Sequence, residues 1–127
     1  MLLDTHTLIW FLNDDAKLSK NAKTIIEDGD DLFISIISIW EMAIKISVGK
    51  LNIDIDFANL PQILTELDIH ILQFDFTDTE IYIGLPILRE HKDPFDRMIV
   101  AQAIRRSIVL VSADKKLDAY PIKRVWE

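Results

Sequence analysis

Short apolar runs of strand length alternate along this chain with longer segments that carry helical patterns. The runs are Met1–Leu3, Leu32–Ile36, Ile69–Phe74, Ile108–Ser112 and Lys123–Trp126. Neighbouring parallel strands need a crossover of about a dozen residues, usually a helix, whereas antiparallel strands need only a tight turn. The alternation therefore predicts an α/β domain with a central, mainly parallel sheet of about five strands flanked by helices.

The segments between these runs show helix signals. Ser19 is a suitable N-cap for a helix that ends at Gly29, and Asp93 precedes a helix with Pro94 at its first position. Gly84 and Pro86 interrupt the pattern of one further segment. The predicted helices are Thr5–Leu12, Lys20–Asp28, Ile37–Val48, Phe57–Leu67, Thr77–Leu88 and 94–106. No repeat or linker divides the 127 residues, so one domain over 1–127 is expected.

Composition excludes several kinds of site. The chain has no cysteine, which excludes a disulfide scaffold, a thiolate zinc site and a cysteine nucleophile. It has only 3 glycines, too few for a glycine-rich phosphate-binding loop. The first residues lack the basic region of a signal peptide, and no apolar stretch reaches the length of a membrane span. We therefore expect a cytoplasmic protein.

Two of the predicted strands end close to an acidic residue. Asp4 follows the first run directly, and Asp114 comes just after the fourth. In a parallel α/β sheet, ligands bind at the carboxyl ends of the strands, where the strand order reverses. Aspartate is also a common helix N-cap, and for either residue alone capping is the favoured interpretation.

Two more acids come from predicted helices. Glu41 lies with Ser38 and Lys45 on one narrow polar stripe of an otherwise apolar helix. This stripe predicts a polar site, although Ser38 and Glu41 also fit a capping box, and Glu41 and Lys45 an ion pair. Asp96 falls in the first turn of the helix that Asp93 caps, near the positive end of the helix dipole. We interpret Asp93 as a cap only and leave both interpretations open for Asp96.

Together, Asp4, Glu41, Asp96 and Asp114 indicate more than each does alone. Four carboxylates within about 5 Å of one another repel and hold protons unless a cation compensates them. Hard divalent ions with oxygen ligands are the natural partners, which predicts Mg²⁺ or Mn²⁺. Such sites serve the hydrolysis of phosphodiesters by a metal-activated water.

Four segments of the chain form a recognisable pattern, in the order LLDTHTLIW, SIISIWEMAIKISVGKL, HKDPFDRMIVAQA and LVSAD. In these segments and their order the chain resembles the PIN domain, and within it the VapC-like ribonuclease toxins of bacterial toxin–antitoxin pairs. The resemblance implies that Asp4, Glu41, Asp96 and Asp114 are the catalytic and metal-binding acids of an endoribonuclease. It also implies an RNA substrate, a homodimer, a cognate antitoxin, and neighbouring strands before Asp4 and Asp114.

Other polar residues of these segments receive simpler interpretations. Thr5 and Ser112 flank two of the acids, and we slightly favour helix-capping roles for both hydroxyls over contacts with metal ligands. None of the three histidines is taken as a metal ligand, because Mg²⁺ prefers oxygen. The aromatic residues are interpreted as core or dimer contacts; they are Trp10, Phe11, Trp40 and Phe95.

The formal net charge of −7 argues against nucleic-acid binding. Basic side chains in segments next to the predicted site nevertheless offer a groove for RNA. They are Lys45, Lys50, Arg89, Lys92, Arg97, Lys115 and Lys116. Two alternatives stay open: a phosphorelay receiver domain and a non-catalytic PIN-like binding module. A receiver domain needs paired acids after its first strand, where this chain has only Asp4.

Overall fold

A five-stranded, fully parallel sheet forms the centre of the protein. The computed structural model describes residues 1–127. The strands are β1 (Leu2–Leu3), β2 (Leu32–Ser35), β3 (Ile69–Leu72), β4 (Leu110–Val111) and β5 (Arg124–Val125). Their order is β3-β2-β1-β4-β5, and every neighbouring pair is parallel. The predicted parallel α/β fold is thereby confirmed.

Six α-helices flank the sheet. They are α1 (Thr5–Leu12), α2 (Lys20–Asp28), α3 (Ile36–Ser47), α4 (Leu60–Glu66), α5 (Phe76–Ile83) and α6 (Pro94–Arg106). The sequence predicts α1 and α2 to the residue. Short 3₁₀ helices at Phe57–Asn59 and Lys115–Ala119 complete the fold.

Two predicted helices are shorter in the structure than in the sequence analysis. The predicted helix at 57–67 begins as a 3₁₀ turn capped by Asp56, and its α-helical part begins only at Leu60, next to Pro61. The predicted helix at 77–88 ends at Ile83. Its end precedes Pro86, whose ring disfavours helical backbone at the residue before it.

Apolar side chains bury both faces of the sheet. Leu2 and Leu3 are fully buried and belong to two different core clusters, as expected because consecutive strand residues point to opposite faces. A strand buried on both sides has no need of alternating polar residues, which explains the unbroken apolar start of the chain. No helix is both long and apolar enough to cross a membrane.

The strand order reverses between β1 and β4. From β1 the chain adds β2 and β3 on one side, and it later adds β4 and β5 on the other. β1 and β4 are hydrogen-bonded neighbours, with Leu3 opposite Val111, which confirms the neighbouring strands implied by the family resemblance. Asp4 and Asp114 therefore follow two adjacent strands at the edge where α/β proteins bind ligands.

Candidate active site

Asp4 and Asp114 are both helix caps, but each uses only one carboxylate oxygen for the cap. Asp4 Oδ1 accepts hydrogen bonds from the Thr7 backbone N–H at 2.8 Å and from the Thr7 hydroxyl at 2.7 Å. Asp114 Oδ1 accepts from the backbone N–H of Lys116 at 3.0 Å. The capping interpretation is thus correct for both residues. It is also incomplete, because the second oxygen of each carboxylate makes no hydrogen bond and is free to bind a ligand.

Glu41 projects from α3 into a nearly closed polar site. Its side chain is only 4% exposed. Thr5 Oγ1 donates to Glu41 Oε1 at 2.9 Å, and Lys45 Nζ donates to Oε2 at 2.9 Å. The predicted ion pair therefore forms. The capping box does not, because α3 begins at Ile36 with Ser35 as its N-cap.

The hydroxyls of Thr5 and Ser112 position the acids. Thr5 caps no helix; it bonds to Glu41 and lies 2.8 Å from the buried Ser38 hydroxyl. Ser112 Oγ accepts from the backbone N–H of Asp114 at 3.1 Å. The helix-capping roles favoured for Thr5 and Ser112 were therefore wrong. The sequence does not reveal that α1 and α3 meet at Thr5, and Asp114 rather than Ser112 caps the 3₁₀ helix that follows.

Replacing Thr5 with Val tests this positioning role. The substitution keeps the branched shape but removes the donor to Glu41, so we expect RNA cleavage to fall about 10-fold. The buried carboxylate loses a partner, so the free energy of unfolding should fall by about 1–2 kcal/mol. Steady-state cleavage and urea unfolding measure the two effects. Unchanged cleavage in a folded T5V protein would remove Thr5 from the site.

The pKa of the Asp96 carboxyl is raised by its burial and by the acids around it. Asp96 lies in the first turn of α6, and its side chain is 34% exposed. Burial and then repulsion from Asp93, Glu41, Asp4 and Asp114 raise its pKa to about 7. The structure thus places Asp4, Glu41, Asp114 and Asp93 close enough to Asp96 to affect its pKa.

Asp93 itself acts as the cap of α6. Its Oδ1 accepts from the backbone amides of Phe95 at 2.8 Å and Asp96 at 3.1 Å. An Asp93→Asn variant keeps a capping oxygen, so we expect its free energy of unfolding to change by less than about 1 kcal/mol. Cleavage should stay within about threefold of wild type. Loss of all cleavage in a folded D93N protein would place Asp93 among the catalytic acids.

Positive charge near the acids is sparse. Lys45 pairs with Glu41, and the other basic side chain within ion-pair distance is that of His91. His91 is 5% exposed; its Nε2 lies 3.5 Å from Asp96 Oδ2 and 3.9 Å from Asp114 Oδ2. Uncompensated carboxylate oxygens are the donor set that a hard divalent cation takes. The residues present therefore fit Mg²⁺ or Mn²⁺.

His91 is a site residue that the sequence analysis left out. It lies two residues before the cap of α6, and nothing in the hydrophobic pattern indicates that it is buried. The signal in the sequence was its position in the segment HKDPFD, shortly before Asp93 and Asp96.

The basic residues near the site separate into two groups. Arg97 is buried, with its guanidinium 5.1 Å from the ring centre of Tyr82. The expectation that Arg97 contributes to an RNA groove is therefore wrong. Arg89, Lys115 and Lys116 are exposed and line an open depression beside His91. These three offer positive charge at the edge of the site.

An exposed apolar groove lies between α3, α5 and α6, and two of these helices carry Glu41 and Asp96. Trp40 and Phe95 meet there edge to face, with ring centres 5.3 Å apart. Trp40 is 57% exposed, so the core interpretation does not hold for it. The groove is also lined by Ile37, Phe74, Tyr82, Ile83, Pro94 and Met98.

Residues 1–123 match the family model of the PIN domain. The chain belongs to the PIN domain family. The match covers all four acids and confirms the resemblance that the sequence motifs indicate. It also disfavours the receiver-domain alternative.

Several known proteins are similar to this chain over nearly their whole length. Ribonuclease VapC22 of Mycobacterium tuberculosis is 28% identical over 130 residues, which covers 99% of this chain and 98% of that protein. A chain of VapBC2 from Rickettsia felis, solved with a promoter DNA fragment, superimposes with a TM-score of 0.65 at 20% identity, covering 99% of this chain and 98% of that one. FitAcB from Neisseria gonorrhoeae gives a TM-score of 0.65 at 20% identity, with 97% and 94% covered. At this level of identity the two solved structures support the fold.

Proposed function

We propose that this PIN-domain protein is a metal-dependent endoribonuclease of the cytoplasm, the toxin component of a toxin–antitoxin pair. The observation that carries the proposal is that Asp4, Glu41 and Asp114 lie near Asp96, where burial, and then repulsion from Asp93 and these three acids, raises the pKa of Asp96 to about 7. A partly buried set of repelling carboxylates costs stability, and a bound cation offsets that cost. The similarity to ribonuclease VapC22 supports RNA as the substrate.

The four acids are the proposed ligands of Mg²⁺ or Mn²⁺. A bound divalent ion activates a water for hydrolysis and stabilises charge on the phosphate. Capping holds Asp4 and Asp114 by one oxygen each and leaves the other oxygen for the ion. Thr5 and Lys45 fix the orientation of the Glu41 carboxylate.

Exposed basic side chains at the edge of the site are the proposed contacts to RNA. Arg89, Lys115 and Lys116 line one depression beside His91, where they offset the local negative charge and attract phosphates. Because few such residues are present in a chain of net charge −7, we expect modest RNA affinity that falls steeply with salt.

A cognate antitoxin and a second copy of the chain are the proposed protein partners. Solved complexes such as VapBC2 support the antitoxin, whereas the homodimer comes from the family resemblance. A protein seated on the groove at Trp40 and Phe95 would pack on α3 and α6, the helices that carry Glu41 and Asp96. Purified antitoxin should therefore inhibit cleavage in proportion to the complex formed.

RNA cleavage by the purified protein tests the proposed function. We expect endonucleolytic cuts in the presence of Mg²⁺ or Mn²⁺, none in excess chelator, and recovery when the metal is restored. An Asp4→Asn protein prepared in parallel shows whether a contaminating nuclease is present. A folded, metal-loaded protein that cuts no RNA would instead support a non-catalytic PIN-like binding module.

A further inference from the structure

Three buried polar side chains form a hydrogen-bonded chain behind the acids. Arg97 Nη1 donates to the Tyr120 hydroxyl at 3.0 Å, and this hydroxyl lies 2.8 Å from His91 Nδ1. All three side chains are buried. On the far side of the imidazole, Nε2 has no hydrogen-bond partner and faces the carboxylates of Asp96 and Asp114.

The direction of these hydrogen bonds follows from what each group can donate. A guanidinium only donates, so the Tyr120 oxygen accepts from Arg97. The Tyr120 hydroxyl is buried, and its bonding partners are Arg97 and His91. Its own proton therefore has one available acceptor, His91 Nδ1. A neutral imidazole that accepts at Nδ1 carries its proton at Nε2.

We propose that His91 is a positioning residue of the active site, whose Nε2–H, set by Tyr120 and Arg97, is directed at the carboxylates of Asp96 and Asp114. The proposal rests on the proposed function for its catalytic consequence. Asp96 accepts no hydrogen bond from any other side chain, and His91 is the only basic side chain within 4 Å of its carboxylate. At 3.5 Å the contact is too long for a good hydrogen bond, but it places the one nearby N–H toward an acid that has no other side-chain donor.

The same geometry argues against His91 as a nitrogen ligand of the metal. A ligand needs a lone pair at Nε2, so the proton of the neutral ring moves to Nδ1. Nδ1–H then donates to Tyr120, and the buried Tyr120 hydroxyl is left with no acceptor. A buried donor without a partner is unfavourable. In the donor form of His91 the Nε2–H faces two carboxylate oxygens at 3.5 Å and 3.9 Å, whereas in the ligand form the Tyr120 proton faces no acceptor, so the chain from Arg97 to Tyr120 selects the donor form.

Ring nitrogen spectra of the ¹⁵N-histidine-labelled protein test the assignment directly. In the wild type we expect the His91 proton on Nε2 and a lone pair on Nδ1, before and after Mg²⁺ is added. Tyr120→Phe removes the hydroxyl that sets this form, so its spectrum should show both neutral forms. A proton on Nδ1 in the wild type, or loss of the Nε2 proton on adding Mg²⁺, would overturn the proposal.

Cleavage kinetics test the positioning role. His91→Gln keeps an N–H donor on a side chain of similar reach, whereas His91→Met keeps the bulk and removes the donor. We expect kcat to fall about 10- to 100-fold in H91M with KM nearly unchanged, and H91Q to recover a large part of the loss. Tyr120→Phe retains His91 and should lower kcat by a smaller factor.

Matched results decide between positioning and simple packing. His70 is exposed on β3, so His70→Gln should leave kcat and KM unchanged. Equal kcat values in folded H91M and H91Q would contradict the proposal, and so would a Y120F protein with wild-type kcat. If the wild type cuts no RNA at all, the proposed function fails, while the ring spectra still decide which nitrogen carries the proton.

Discussion

An Asp96→Asn variant is expected to lose RNA cleavage by two or more orders of magnitude, about 3 kcal/mol or more in the activation barrier. The same change should stabilise the metal-free fold. Asparagine keeps the size of the side chain but removes a charge from the point where burial and the other acids raise the pKa of Asp96 to about 7. Loss of function with a gain in stability is typical of a residue selected for chemistry.

The stability gain should depend on pH. The pKa of Asp96 rises from an ordinary value of 3.8 to about 7 in the folded protein, so the folded state binds more protons than the unfolded state between these limits. Wild-type stability without metal therefore falls as the pH rises through this window. D96N should exceed wild type by about 1–2 kcal/mol at pH 8, after allowance for partial exposure, and by nothing near pH 4.

Urea unfolding in chelator at several pH values measures this difference. Asp28→Asn is the matched control, because Asp28 is an exposed acid at the end of α2, before β2 begins. It should show neither the stability gain nor the loss of cleavage. A D96N protein that is less stable than wild type at pH 8 would show that Asp96 is a structural residue.

A substrate with a single 2′-deoxynucleotide at the cut linkage is expected to remain cleavable. Ribonucleases that attack through the ribose 2′-hydroxyl need a base and an acid, commonly a histidine pair, and they stop completely on such a substrate. The three histidines form no such pair: His6 is exposed on α1 beside Trp10, His70 is exposed on β3, and His91 is buried and hydrogen-bonded to Tyr120. The acids instead support hydrolysis by a metal-activated water.

The ends of the RNA products provide the measurement. We expect a 5′-phosphate and a free 3′-hydroxyl, because water rather than the 2′-hydroxyl attacks the phosphorus. The matched substrate differs only at the one deoxynucleotide, and KM is followed separately because the missing hydroxyl also weakens binding. A 2′,3′-cyclic phosphate, or complete loss of turnover with binding intact, would exclude this mechanism.

Much of the fold could be predicted because its signals are local. Ser19 and Gly29 bound α2, and the buried strand residues form unbroken apolar runs between helix-length segments. Strand order is not a local property. That β1 and β4 are neighbours followed from the family resemblance, since no periodicity in the sequence reports which strands pair.

The candidate site, like the fold, could be predicted from the sequence only in part. The four acids could be singled out from the sequence because Asp4 and Asp114 follow strand ends, Glu41 lies on a polar helix stripe and Asp96 lies in the first turn of a helix. The contacts that orient them could not be predicted, because Thr5 bonds to Glu41 across 36 positions and His91 to Tyr120 across 29. The burial of Arg97 was missed for the same reason: tertiary packing, not its position beside Asp96, places it against Tyr82 and Tyr120.

Metal-induced stabilisation of the protein and its acid variants tests the proposed metal centre most directly. A cation that binds only the folded state raises the free energy of unfolding by RT ln(1 + [L]/Kd), about 1.4 kcal/mol at ten times Kd. Wild type and D28N should gain this stability equally when Mn²⁺ is added at pH 7.5, whereas Asp4→Asn, Glu41→Gln, Asp96→Asn and Asp114→Asn should lose most of it. An equal gain in all six proteins, or no gain in the wild type, would contradict a metal centre built from these four acids.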